Sequence, residues 1–126
     1  MPGGVAAFDY DGDGLTDIYF ANGASLPSLE KTSPRYWNRL YRNLGGFHFQ
    51  DVTESAGVAG AGYSMGAAAA DYDNDGLLDL FAVNYVRWSP DLDRFCGDAS
   101  RQVRVYCHPQ FFKGLPNTLY HNEGNR

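Results

Sequence analysis

Eight aspartates stand in two short runs with the same spacing. Asp9-Tyr-Asp11-Gly-Asp13-Gly14-Leu15-Thr-Asp17 and Asp71-Tyr-Asp73-Asn-Asp75-Gly76-Leu77-Leu-Asp79 share the pattern D-Y-D-x-D-G-L-x-D. Alternate carboxylates on a curled loop converge on one point, where they repel each other unless a cation lies between them. The chemistry this suggests is capture of a hard divalent cation through oxygen. Ca2+ takes roughly six to eight oxygens at about 2.3–2.6 Å, with side chains from loop positions 1, 3 and 5 and a backbone carbonyl from position 7. On that scheme Asp9, Asp11, Asp13, the Leu15 carbonyl and Asp17 form one site. Asp71, Asp73, Asp75, the Leu77 carbonyl and Asp79 form a second. Mg2+ demands stricter octahedral geometry and gives up water reluctantly, so Ca2+ is the expected ion.

The elements around the loops must hold this geometry. Gly14 and Gly76 fall where the backbone turns sharply, and Gly12 and Asn74 are types that accept left-handed geometry. An EF-hand is excluded, because it needs flanking helices and a bidentate Glu at position 12. Phe20 and Ala82 stand there instead. The flanks predict strands at Val5–Phe8 and Asp17–Ala21 in the first copy and at Ala67–Ala70 and Asp79–Val83 in the second.

The repeat runs beyond the loops. The acidic runs are offset by 62 positions (71 − 9). Asn38-Arg-Leu40-Tyr41-Arg42-Asn43-Leu-Gly45 matches Asn117-Thr-Leu119-Tyr120-His121-Asn122-Glu-Gly124 at an offset of 79 (117 − 38), so the second copy carries an insertion. Phe47–Val52 alternates and predicts a fourth strand. Each unit therefore reads as two hairpins, or four antiparallel strands, which describes a propeller blade. The expected fold is all-β. Residues 1–62 form the first repeat; residues 63–126 form an incomplete second one, with the insertion at 88–114.

Gly4–Gly23, Asn38–Val58, Gly66–Asn84 and Asn117–Gly124 resemble the FG-GAP/VCBS repeat, the blade unit of integrin-α-like β-propellers. Within that group the chain is most similar to bacterial proteins related to the cartilage acidic protein family, which pair such repeats with an ASPIC/UnbV domain. The resemblance implies Ca2+ held by the matched aspartates between adjacent strands of a blade. It does not imply a shared ligand, because fold and function separate readily. A propeller needs about four to eight blades, so the chain is expected to be a fragment whose repeats pack against neighbouring blades.

The rest of the sequence narrows the function. The chain is 44% apolar and 15% aromatic, enough for a core. Its net charge is −5, and no basic run suggests nucleic acid. No apolar stretch is long enough to span a membrane, and no signal peptide leads the chain. Cys96 and Cys107 fall inside the insertion; they are read as a disulfide of an exported protein or as two free thiols. Gly62-Tyr-Ser64-Met-Gly66 fits the nucleophile-elbow pattern, but that motif requires a strand-to-helix turn. An Ala run and an acidic loop follow here, so Ser64 is expected in a connection between blades. Arg35–Arg42 mixes cations and aromatics and is read as a solvated strand start, with a polar or sugar-like ligand as the alternative. His121 aligns with Arg42 and is expected at the surface.

Two function classes remain open. One is a non-enzymatic, exported binding or scaffold module, presenting Ser25–Trp37 and Trp88–Gly114 to a protein or carbohydrate partner. The other is an accessory propeller of a larger exported enzyme.

Overall fold

The computed structural model describes residues 3–124. The chain forms two antiparallel sheets side by side, with a small hairpin between strands of the second. Sheet one contains β1 (Val5–Phe8), β2 (Asp17–Phe20), β3 (Arg39–Asn43) and β4 (Phe49–Asp51) in sequential order. Sheet two contains β5 (Ser64–Ala70), β6 (Asp79–Asn84) and β9 (Thr118–Tyr120). The 88–114 insertion lies between β6 and β9 and holds β7 (Gly97–Asp98) paired with β8 (Val103–Arg104). No α-helix occurs among the described residues, and no helix is long and apolar enough to cross a membrane. The architecture is that of two adjacent propeller blades.

Each acidic loop joins the first two strands of its sheet. Phe8 pairs with Asp17, and Ala70 pairs with Asp79, at the mouths of equivalent hairpins. The turns work as their residue types require. Gly12 and Asn74 have φ of 74° and 62°, and Gly14 and Gly76 have φ of 84° and 87°. Two left-handed residues in each loop curl the chain so that the carboxylates face inward.

Two boundaries depart from the sequence reading. β4 starts at Phe49, because Phe47 sits in a tight turn with φ of 62° and the residue is 97% exposed. The turn is closed by the Leu44 N–H on the His48 carbonyl and the His48 N–H on the Gly45 carbonyl. β5 starts at Ser64, inside what was expected to be a connection; Ser64 pairs with Asn84 across a register irregularity before Gly66.

The core lies where the sheets meet. Ala6, Phe8, Tyr19, Leu40, Val52 and Val58 of the first repeat cluster with Leu80 of the second, and Ala67, Ala69 and Tyr120 pack against them. The inner strands β1 and β5 approach very closely at Gly4 and Gly66. A Cβ on Gly4 would lie 2.6 Å from the Gly66 Cα.

A polar chain crosses the same boundary. Asn38 accepts from the Asn22 N–H at 2.8 Å and donates to Ser64 at 3.2 Å, and Ser64 donates to Asn84 at 2.9 Å. Asn38 and Ser64 are both buried. Buried polar groups are costly unless paired, so this string ties the sheets in one arrangement. Its parts repeat. Asn117 accepts from the Asn84 N–H as Asn38 does from Asn22, and the Asn22 and Asn84 amides donate to the Trp37 and Pro116 carbonyls.

Lys31 anchors the 25–37 segment. Its ammonium donates to the carbonyls of Asn22, Gly23 and Tyr36 at 2.7, 2.9 and 2.7 Å. Removing it strands acceptors, so Lys31→Met is expected to lower stability by about 1–3 kcal/mol in urea unfolding. Burial also pushes the Lys31 pKa down to about 8. The unfolded chain then binds more protons just above that value, so stability rises with pH there and is lost as pH falls through it. Between about pH 8 and 9.5, below the ionisation of unfolded tyrosines, the native chain should gain stability and Lys31→Met should not.

The insertion is anchored at its base by the Val86–Gly114 bridge and by the Arg87 N–H on the Lys113 carbonyl. Cys96 and Cys107 form a disulfide across it, which decides between the two readings of these residues. Tyr106, Phe95 and Val105 are exposed on this stapled loop.

Candidate metal centre

The first aspartate of each loop organises the backbone around it. Asp9 accepts from the N–H groups of Gly12, Asp13 and Gly14 at 2.8, 3.2 and 2.8 Å. Asp71 accepts from those of Asp75 and Gly76 at 3.2 and 3.0 Å. Asp13 and Asp75, at position 5, accept from the Leu15 and Leu77 N–H groups at 2.9 and 2.8 Å. Two loops separated in sequence therefore close on largely the same bonds.

The last aspartate closes the mouth of each loop. Asp17 is fully buried and accepts from the Tyr10 N–H at 2.8 Å and the Asn43 N–H at 2.7 Å. Asp79 is as buried and accepts from the Tyr72 N–H at 3.1 Å and the Asn122 N–H at 2.7 Å. Asp17 joins the start of its loop to β3, and Asp79 joins the start of its loop to the residues just past β9. Asn43 and Asn122 complete the seam: their amides donate to the Thr16 and Leu78 carbonyls, and their side-chain oxygens accept from Gly45 and Gly124. Asn122 also donates to the Tyr10 carbonyl of loop one, which links the blades.

Burial pushes the Asp17 carboxyl above the usual carboxylate range, and the charges of Asp11 and Asp13 push the same way. Asp79 is instead held below that range, first by the Asn122 N–H, with the Tyr72 N–H and the His121 ring adding to it.

The predicted ligands come together as follows. Oxygens of Asp9, Asp11 and Asp13 lie within 4.8 Å of one another in loop one. In loop two two overlapping sets meet that spacing: Asp71, Asp73 and Asp79, and Asp73, Asp75 and His121. Asp17 is not among the loop-one residues that meet this spacing and lies in the seam beside them. Leu15 and Leu77 hold the seventh position in both loops.

Sequence reasoning missed the cations. Arg42 is not simply solvated: its Nε lies 2.6 Å from Asp11 and its Nη2 3.3 Å from Asp13. The Asp11 side chain is wholly buried beneath it. In loop two the equivalent His121 points Nδ1 at Asp79, 3.1 Å away, and at Asp73, 3.5 Å away. The signal was in the sequence, because the offset of 79 aligns Arg42 with His121 inside matched segments. The loops thus fit a cation on two observations. Their donors are hard carboxylate oxygens, and in loop one a guanidinium already stands in among them.

Ser64 is not an exposed nucleophile. It lies buried within β5, bonded to Asn38 and Asn84.

The fold, the paired acidic hairpin loops and the asparagine seams define a β-propeller repeat. The profile of the FG-GAP-like repeat matches residues 9–82. That is more than half of the 126 residues, and the chain belongs to this repeat family. No curated protein and no solved structure matches the chain at a significant level.

Proposed function

We propose that the chain is a calcium-binding propeller segment that serves as an extracellular binding or scaffold module, without catalytic activity of its own. The observation that carries the reading is the doubling: two loops of one geometry, each concentrating carboxylates at a blade's first hairpin. Asp9, Asp11 and Asp13, with the Leu15 carbonyl and Asp17, hold Ca2+ in loop one. Asp71, Asp73, Asp75 and Asp79, with the Leu77 carbonyl, hold it in loop two. Bound Ca2+ supplies the positive charge that lets these carboxylates crowd together, and so couples binding to folding.

Export is supported by the Cys96–Cys107 disulfide, since such bonds persist in oxidising compartments. The stapled insertion and the 25–37 segment are the surfaces we assign to a protein or carbohydrate partner, because loops on a rigid scaffold tend to carry recognition. Within the wider repeat class we place the chain with the bacterial cartilage acidic protein and ASPIC/UnbV group, on the strength of the insertion.

A calcium titration by calorimetry tests the reading. About two ions per chain are expected, with Asp13→Ala and Asp75→Ala each removing one and EDTA lowering the melting temperature. Unchanged titrations in both variants would remove the ligand assignment.

A further inference from the structure

The two loops differ at one place. At matched positions, within β3 in the first repeat and just past β9 in the second, Arg42 faces loop one and His121 faces loop two. Guanidinium carries N–H donors and no lone pair to offer, so Arg42 can only compete with a bound ion for Asp11 and Asp13. Imidazole offers a lone pair and is a common ligand of borderline transition metals. His121 aims Nδ1 into the loop, 3.1 Å from Asp79 and 3.5 Å from Asp73, so an ion bound there displaces the proton Nδ1 shares with Asp79; its ring is set edge-on to Tyr72 at 5.9 Å. Its nitrogen and one oxygen each of Asp73 and Asp75 lie within 4.8 Å of one another. Ligand atoms around a tetrahedral Zn2+ sit about 3.3 Å apart, so these three need to close by at most about 1.5 Å.

We propose that this repeat position sets the cation each loop accepts: Arg42 restricts loop one to hard cations held by oxygen alone, and His121 makes loop two a mixed nitrogen–oxygen site that takes Zn2+ through Asp73, Asp75 and His121. The inference rests on reading the loops as cation sites; it adds that loop two, which takes Ca2+ when that ion is alone, prefers Zn2+ where Zn2+ is present. Zn2+ favours such a donor set over an all-oxygen one, whereas Ca2+ gains nothing from the imidazole.

The test uses Zn2+ alone and Ca2+ alone, titrated into the chain and into His121→Arg, His121→Gln and Arg42→His, with imidazole resonances followed by NMR. His121→Arg installs the residue that the first repeat already carries at this position, and circular dichroism checks that each variant is folded. The expected result is one Zn2+ per native chain, with the His121 ring resonances shifting. Both His121 variants should lose at least about tenfold in Zn2+ affinity, the lower end of what even an orienting partner contributes. Arg42→His should gain a second Zn2+. Equal Zn2+ affinity in native and His121 variants, no Zn2+ uptake, or shifts confined to His48 and His108 would overturn the proposal. The Ca2+ series reads separately: absence of Ca2+ binding with His121-dependent Zn2+ binding would remove the calcium reading and leave this one standing.

Discussion

Asp17→Ala is expected to destabilise the chain more than loss of any cation-facing carboxylate in loop one, by about 2–5 kcal/mol, and to do so in EDTA as well as in Ca2+. Both oxygens of this fully buried side chain are occupied by backbone N–H groups, Tyr10 at 2.8 Å and Asn43 at 2.7 Å. Alanine leaves two part-buried donors without acceptors, and each such group costs about 1–3 kcal/mol when water cannot replace the lost bond. It also cuts the tie between the loop and β3. Asp17→Asn retains one acceptor oxygen and relieves repulsion with Asp11 and Asp13, so it should fall between alanine and wild type. Asp79→Ala should act in the same direction, because Asp79 holds the Tyr72 and Asn122 N–H groups the same way. Denaturant unfolding in EDTA is the check. If Asp17→Ala cost no more than Asp13→Ala there, the closing role would be wrong, and Asp17 would be only another ligand.

Gly4→Val should also be severe, about 3 kcal/mol, at the upper end of what overpacking costs. The atoms a Cβ would meet are backbone: the Gly66 Cα at 2.6 Å and the Ala67 N at 3.0 Å. No rotamer change clears them, so the sheets must part, and the cluster joining Phe8 and Tyr19 to Leu80 loosens with them. The reverse substitution is a sharp control. A Cβ on Gly66 points elsewhere and meets Val83 at an ordinary 3.5 Å. Gly66→Ala should therefore change stability by less than about 1 kcal/mol. Thermal melts of the two variants compare them directly; equal losses would mean that the close approach of β1 and β5 does not hold in solution.

Much of the fold was legible because it is local. A strand, a tight acidic loop and a second strand are written within about twenty residues by alternation and turn chemistry. Repetition then tested each reading twice: Asn74 has positive φ where Gly12 does, and Asp79 closes its loop as Asp17 does. Where the local signal was ambiguous, the expectation slipped. The alternation that drew Phe47 into a strand was broken by the turn Gly45 and Gly46 impose, and Ser64 looked like a connection because the register irregularity beside it has no sequence mark.

The sequence by itself determined the class of repeat, the positions of the two acidic loops and the carboxylates that line them, since side chains on one short loop are brought together by the loop alone. Only the tertiary structure decided what those loops face. Arg42 lies 29 residues from Asp13, and His121 lies 42 from Asp79. The seams of Asn43 and Asn122, the Asn38–Ser64 tie and the meeting of Gly4 with Gly66 depend equally on how strands pair and sheets pack. Such contacts follow from register across a sheet, and a chain specifies register through the sum of its packing rather than at any one residue.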